Sequence, residues 1–366
     1  MKNEKHRHTR FVVVMTMICV LAIALVITII MSKSEPVRDI FAKIVIKKTL
    51  DQAEKKISGH FTRIPATINA GSEWLAAGDL DLNDVIPLNE YFIPILKRLP
   101  QLSGVVVADD EGCEYFVYAD EATWITRSID RKHFDQEVIF RRWDTERHMI
   151  AEWAEESEYV TKQRPWYEGA LKSLQSGTPY WTDVYQFYTK KKVGITASKG
   201  MLYGPQNERF IIVAVDVLLD DVRQAITKVS LSKNALVALA SDKGEFITSS
   251  TADELMVNDE LVVPQKFMNG NRGVLLNIAI GRANAATAGA REELFELSLN
   301  ETKWWVAYRK LSIVDDNIII MIALPKNEIF ELFKNRRELI AIGVAGIIVV
   351  LSVVWCLLTM VSSRRL

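Results

Sequence analysis

Arg164, with Trp166 and Tyr167 directly after it, Tyr159 five residues before it, and Tyr185 and Asp216 further on, could together hold a small charged molecule. A guanidinium fork takes a carboxylate through two parallel charge-assisted hydrogen bonds, whereas an aspartate and tyrosine hydroxyls take an ammonium. Trp166 and the tyrosine rings supply apolar walls. Those residue types suit a zwitterion such as a free α-amino acid. They equally suit core aromatics beside a surface arginine, and residue type alone leaves both readings open.

Arg164-Pro-Trp-Tyr167 followed by Glu168 to Leu174 predicts a helix with Pro165 in its first turn, where a missing amide costs nothing. Free amides at such a helix start favour an anion near Arg164. The strand sentence Ser103-Gly-Val-Val-Val-Ala108, Asp109-Asp-Glu-Gly112, Cys113-Glu-Tyr-Phe-Val-Tyr118 predicts two strands and a tight turn. It recurs as Ala235 to Ala240, Ser241-Asp-Lys-Gly244 and Glu245 to Thr248. Two copies of one small α/β unit are therefore expected.

The first copy would continue through strands at Val138 to Trp143, His148 to Trp153, Lys192 to Met201 and Arg209 to Val215. The second would include Gly273 to Ile280, Thr302 to Lys310 and Ile318 to Leu324. Leu218 to Val229 reads as a helical link. Apolar positions from Val37 to Ile64 at steps of three and four predict a long helix that Pro65 kinks or ends, and a helical piece is expected around Tyr91 to Arg98.

Both ends of the 366-residue chain are apolar: Phe11 to Met31 and Leu339 to Val361 each reach the roughly 20 residues that cross a hydrocarbon core. The first exceeds the apolar stretch of a cleaved signal peptide, and no small-x-small site follows it. An uncleaved anchor is expected. Lys2, Lys5, Arg7 and Arg10 put the amino terminus in the cytoplasm, so the intervening region lies outside, and a helix from Pro325 to Arg337 should lead into the second span.

Cys19 and Cys356 fall in the spans and leave Cys113 alone outside, so no disulfide framework is expected. A net charge of −1 gives no sign of a nucleic-acid partner. His133 and His148 with Asp130, Asp135 and Glu146 match no compact metal-ligand spacing, and Asp109-Asp-Glu-Gly112 lacks the spaced acids of a calcium loop. No Gly-rich phosphate loop, Gly-x-Ser-x-Gly elbow or His-Glu-x-x-His is present, so neither an enzyme nor a cofactor is expected.

Arg164-Pro-Trp-Tyr-Glu-Gly-Ala170, Trp181-Thr-Asp-Val-Tyr185 and Ile211-Ile-Val-Ala-Val-Asp216 resemble the motifs of the double Cache family of extracytoplasmic sensor domains. The resemblance is strongest over Tyr159 to Asp221 and extends from one apolar run to the other. It implies an α+β fold: two tandem PAS-like α/β units on a long N-terminal helix, bracketed by two transmembrane helices.

The implied division is a cytoplasmic tail at 1–10, a span at 11–32, an extracytoplasmic region at 33–338, a span at 339–361 and a cytoplasmic end at 362–366. Within the outer region lie a stalk helix at 37–84, a membrane-distal ligand-binding unit at 85–217 and a membrane-proximal unit at 232–325.

The amino-acid-binding branch of that family implies a role for each of the six residues. Arg164 and Trp166 hold the carboxylate, the latter through its indole N–H; Tyr185 and Asp216 hold the ammonium; Tyr159 and Tyr167 complete the polar lining. A long segment from Ser173 to Trp181 leaves Tyr180 as an alternative to Tyr185, which the Trp-Thr-Asp-x-Tyr pattern favours. Residues facing a ligand side chain are expected from Tyr115 to Trp124 and Phe140 to Trp143.

The resemblance thus implies a homodimeric chemoreceptor in the cell inner membrane, with a periplasmic domain that binds a small molecule, most simply an amino acid. Such receptors continue past Ser362-Ser-Arg-Arg365 into a cytoplasmic signalling module, so a separate partner or a missing C-terminal module would read the second span. The competing expectations are a membrane-anchored adaptor with an empty cavity and a sensor for another small carboxylate or amine.

Overall fold

The computed structural model describes residues 35–328, apart from 79–80, 131–136, 205, 230, 242, 252–255, 258–259, 262–269, 287–289 and 314–315, together with helical positions Val14, Met17, Val20 and Leu21. Among the described residues no helix is long and apolar enough to cross a membrane. The expected spans lie outside the described residues except for those four positions, and so does most of the helix expected over 325–337.

Helix α1 (Glu35–Phe61) buries Ala42, Ile46, Leu50, Ala53, Ile57 and Phe61, one stripe at steps of three and four. Ile40, Phe41 and Ile44 fall on another face and are 58%, 46% and 56% exposed. The helix ends at Thr62 and Arg63, and α2 (Ile64–Ala76) starts with Pro65 in its first turn, where proline is tolerated. Helix α3 (Val85–Arg98) begins six residues before the expected piece, because the Asp84 carboxylate accepts the Ile86 amide at 3.3 Å and caps it.

The first sheet contains β1 (Gly104–Asp109), β2 (Glu114–Asp120), β3 (Thr123–Ile129), β4 (Glu137–Trp143), β5 (Met149–Glu156), β6 (Tyr180–Trp181), β7 (Tyr185–Gln186), β8 (Val193–Tyr203) and β9 (Arg209–Leu218). All pairs are antiparallel in the order β5-β4-β3-β2-β1-β9-β8-β6, with β7 also on β8. Between β5 and β6, after a short 3-10 turn (Thr161–Gln163), lies α4 (Pro165–Ser173).

Helix α5 (Leu219–Thr227) then links to a second antiparallel sheet, β11-β10-β16-β15-β14. Its strands are β10 (Leu236–Ser241), β11 (Phe246–Ser249), β14 (Glu292–Leu299), β15 (Thr302–Ile313) and β16 (Asp316–Pro325). A separate small ribbon pairs β12 (Met256–Val257) with β13 (Glu260–Leu261), and α6 (Asn271–Ala285) follows.

The two sheets share one plan. Each has an opening hairpin, a helix that crosses over, and a last strand that returns to pair with the first. The hairpin turns match bond for bond: Asp109 N–H donates to Cys113 O and Gly112 N–H to Asp109 O, while Ser241 N–H donates to Glu245 O and Gly244 N–H to Ser241 O. Gly112 and Gly244 close them at φ of 92° and 91°, which only glycine adopts without strain.

Gly273 to Ile280 is helical, not the strand its apolar run suggested. Its buried residues Leu276, Ala279, Ile280 and Ala283 recur at steps of three and four, a helical period. Strands β3 and β14 were not anticipated, and the Trp181-Thr-Asp-Val-Tyr185 motif touches only the two-residue pieces β6 and β7.

One apolar core runs through both units. The α1 stripe packs with Leu236, Val306 and Ile320 of the second sheet as well as with α2 and the first. At that junction Arg309 of β15 is 5% exposed and donates to Asp51 at 2.8 Å and to Glu54 at 2.5 Å on α1, and to Glu292 on β14. Arg309→Met should remove these bonds while keeping the aliphatic stem. Urea denaturation should show a loss of about 2 kcal/mol, since hydrogen bonds to charged groups contribute about 1.5–3 kcal/mol.

Candidate functional site

Side chains alternate along a strand, so one parity of the first sheet faces α2 and α3 and the other faces α4. Val105, Val107, Tyr115, Val117, Val213 and Val215 belong to the helix-side core. Val106, Ala108, Phe116, Ile212 and Ala214 pack with Trp166, Tyr167 and Ala170 of α4 on the other side.

Register places Arg127, Phe116, Val106 and Ala214 in one row across this second face. The next row runs Tyr118, Gly104, Asp216, Thr196. Gly104 is required there, because a Cβ would meet the Phe116 ring at 2.5 Å.

Val106, Phe116, Arg127 and Asp216 form the floor of a cavity walled by Tyr159, Arg164, Trp166, Tyr185 and the stretch Phe187 to Lys190. The space between them, counted with its open mouth, is about 340 Å³.

Five of the six expected residues therefore face one space: Tyr159, Arg164, Trp166, Tyr185 and Asp216. Tyr167 does not. Its hydroxyl donates to Asp109 O at 2.9 Å and anchors the β1–β2 turn from below. Tyr180 is also elsewhere, its ring lying where a Cβ on Gly169 would be.

Of the segments expected to face a ligand side chain, only Phe116 lines the cavity. Phe140 stacks on Trp153 at 5.4 Å and packs with Ile129, Val138 and Tyr159 in a separate cluster. The acidic turn is built by Asp109 itself, whose Oδ1 accepts the amides of Glu111, Gly112 and Cys113 at 2.9–3.0 Å.

Arg164 precedes the first residue of α4 in extended backbone, held by its N–H to Thr161 O at 3.1 Å. Its guanidinium lies 5.3 Å from the Tyr159 ring centre and 5.7 Å from that of Tyr185. Among the described residues no carboxylate is within ion-pair reach of it.

Asp216 supplies the opposite charge from β9 and is 6% exposed. Thr196 Oγ1 donates to it at 2.6 Å, and Tyr185 Oη is 2.6 Å from Thr196 Oγ1. Because the threonine hydrogen is committed to Asp216, Tyr185 donates to Thr196. Burial pushes the Asp216 carboxyl up to about 6, against the Thr196 hydrogen bond and the nearby Lys190, which act to lower it. The Tyr185 and Tyr159 hydroxyls are also raised, first by burial, and stay neutral.

Arg127 and Lys190 were missed. Arg127 forms a buried ion pair with Glu114, donates to Thr189 Oγ1, and lies 5.1 Å and 4.3 Å from the ring centres of Phe116 and Tyr159. Burial opposes its charge, but Glu114 and Tyr159 hold it protonated more firmly than an ordinary arginine. Both ions sit on facing strands of the β2–β3 hairpin, a signal legible only once β3 is recognised.

Lys190 belongs to a tight turn in which Phe187 N–H donates to Lys192 O at 2.8 Å and Lys191 N–H to Phe187 O at 2.9 Å. Its ammonium donates to Ser103 O at 2.7 Å and lies 5.0 Å from the Tyr118 ring centre. Burial lowers its pKa, while Asp216 acts to raise it.

Neither a family model nor a curated protein matches the sequence. Solved structures do. The extracellular domain of the candidate histidine kinase soHK1S-Z6 matches with a TM-score of 0.50 and 13% identity, over 79% of this chain and 97% of that one. The chain has a double Cache fold.

The ligand-binding domain of the Campylobacter jejuni chemoreceptor Tlp3, solved with 4-methylisoleucine, gives a TM-score of 0.46 and 14% identity over 82% of this chain and 96% of that one. That of the Pseudomonas aeruginosa PAO1 amino acid chemoreceptor PctB, solved with L-Arg, gives 0.45 and 14% over 81% and 97%. At these identities the double Cache likeness concerns fold alone, and the site rests on its own geometry.

Asp216 has a stability consequence. Its folded pKa lies above the unfolded value near 3.9, so its contribution is fully present below pH 3.9 and is lost as pH rises through about 6. Asp216→Asn removes the buried charge. The unliganded variant should exceed the parent by about 1–3 kcal/mol at pH 7.5, a gain that disappears near pH 4 in denaturant titrations at the two pH values.

Proposed function

We propose that this chain is the ectodomain and anchor of a membrane-bound sensor, and that the cavity of the nine-stranded unit binds a free α-amino acid. The observation that carries this is an arginine without a carboxylate partner among the described residues and a buried carboxylate, both facing one open-mouthed cavity. Arg164 takes the ligand carboxylate, with the Trp166 indole beside it. Asp216 takes the ammonium, and Tyr185 fixes Asp216 through Thr196. Tyr159 and Phe116 pack against the ligand's carbon skeleton.

No bond is made or broken in this function. A ligand of about ten heavy atoms can gain up to roughly 1.5 kcal/mol per atom, so micromolar binding, near 8 kcal/mol, is well within reach.

The apolar runs at 11–32 and 339–361 anchor the domain in the cell inner membrane, with the sensor unit periplasmic and both termini cytoplasmic. Ile40, Phe41 and Ile44, exposed on α1 next to the first run, form the seam of a homodimer. Occupancy biases the arrangement of α1 against the second sheet only by its difference in affinity for the two arrangements. A cytoplasmic partner, or a module carried beyond the second run, reads the change.

Isothermal titration of the purified full chain in detergent against the twenty amino acids is the test. At least one should bind in the micromolar range. Arg164→Lys keeps the charge but loses the fork and should weaken binding tenfold or more, and Asp216→Ala should abolish it. Unchanged affinity in either variant would assign the two ends of the ligand elsewhere.

A further inference from the structure

The charges around the cavity do not balance for a neutral zwitterion. Arg127, Arg164 and Lys190 line it as cations and Asp216 as an anion, while Glu114 lies behind the floor, fully buried and bound to Arg127. With Arg127 matched by Glu114, a bound amino acid would satisfy Arg164 with its carboxylate and Asp216 with its ammonium. Lys190 would remain.

The Lys190 ammonium has one hydrogen bond, to a backbone carbonyl, and among the described residues no carboxylate lies within ion-pair distance of it. Two of its three donors are uncommitted. Asp216 is the acid that acts on it most strongly, and a ligand ammonium would compete for that same carboxylate. A partly buried cation whose nearest counter-charge is taken by the ligand calls for a second anion on the ligand itself.

We infer that the cavity is built for an acidic amino acid, with Lys190 holding the side-chain carboxylate. The inference rests on the amino-acid reading above and adds the class of side chain. The lining residues next to Lys190, Tyr188 and Thr189, carry hydroxyls.

The experiment compares L-aspartate with L-asparagine and L-glutamate with L-glutamine by calorimetry on the full chain in detergent, then repeats the set with Lys190→Met. Each amide matches its acid in size and differs only in charge. At least one acid should bind tenfold or more tightly than its amide, and Lys190→Met should erase that preference.

A thermal unfolding curve of Lys190→Met confirms that the variant is folded, and Lys190→Arg should retain the preference. Equal or tighter binding of the amides, or of L-leucine, overturns the inference and leaves the amino-acid reading standing. A preference that survives Lys190→Met also overturns it. If none of the amino acids binds, both fall together.

Discussion

One buried guanidinium ties the floor of the cavity to both of the segments that cover it. Arg127 stands on β3, is paired to Glu114 on β2, packs its flat face against Tyr159 before the 3-10 turn, and reaches Thr189 in the turn after β7. Removing two ions from water costs several kcal/mol each, and good geometry and further hydrogen bonds must offset it. Here the offset is incomplete: Glu114 Oε2 and Arg127 Nε are buried without a hydrogen-bond partner. Such a pair is better understood as fixing where two loops sit than as a large source of stability. Arg164 and Lys190 belong to the two segments that meet at that shared point.

The remaining polar groups follow from the sheet. Asp216 is oriented by Thr196 on β8, which pairs with β9, and through it by Tyr185 on β7, which pairs with β8. The anionic end of the site is therefore held by backbone register, whereas the cationic walls belong to connecting segments. The second sheet shares the plan of the first and is joined to α1 by Arg309 and the carboxylates of that helix. Displacement of α1 would have to break or slide those bonds, so the two units are mechanically coupled through one helix.

Much of this was legible in the sequence because it rests on local rules. The twin turns ending in Gly112 and Gly244 announced the repeat, and the Arg164-Pro-Trp-Tyr167 signal located α4. Asp216 and Arg164 were found as opposite charges in a pattern. The failures share a different cause. Gly273 to Ile280 is apolar except for Asn277 over a length that both periods fit, and its helical contacts come from packing. Tyr167 follows Trp166 directly, so the helical turn points it away from the cavity and toward Asp109. Arg127 and Lys190 carry meaning only through partners fixed by tertiary pairing, Glu114 across a hairpin and Ser103 far along the chain.

The turn from Phe187 to Lys192 is closed by backbone hydrogen bonds, and Phe187 seats its ring over Gly194, where a Cβ would approach it to 2.2 Å. The shape of the turn is thus guaranteed by atoms that Tyr188 and Lys190 do not supply. Those two positions stand directly against whatever occupies the cavity. Exchanges at these two positions can therefore alter what the cavity accepts while the backbone bonds that shape the turn stay as they are.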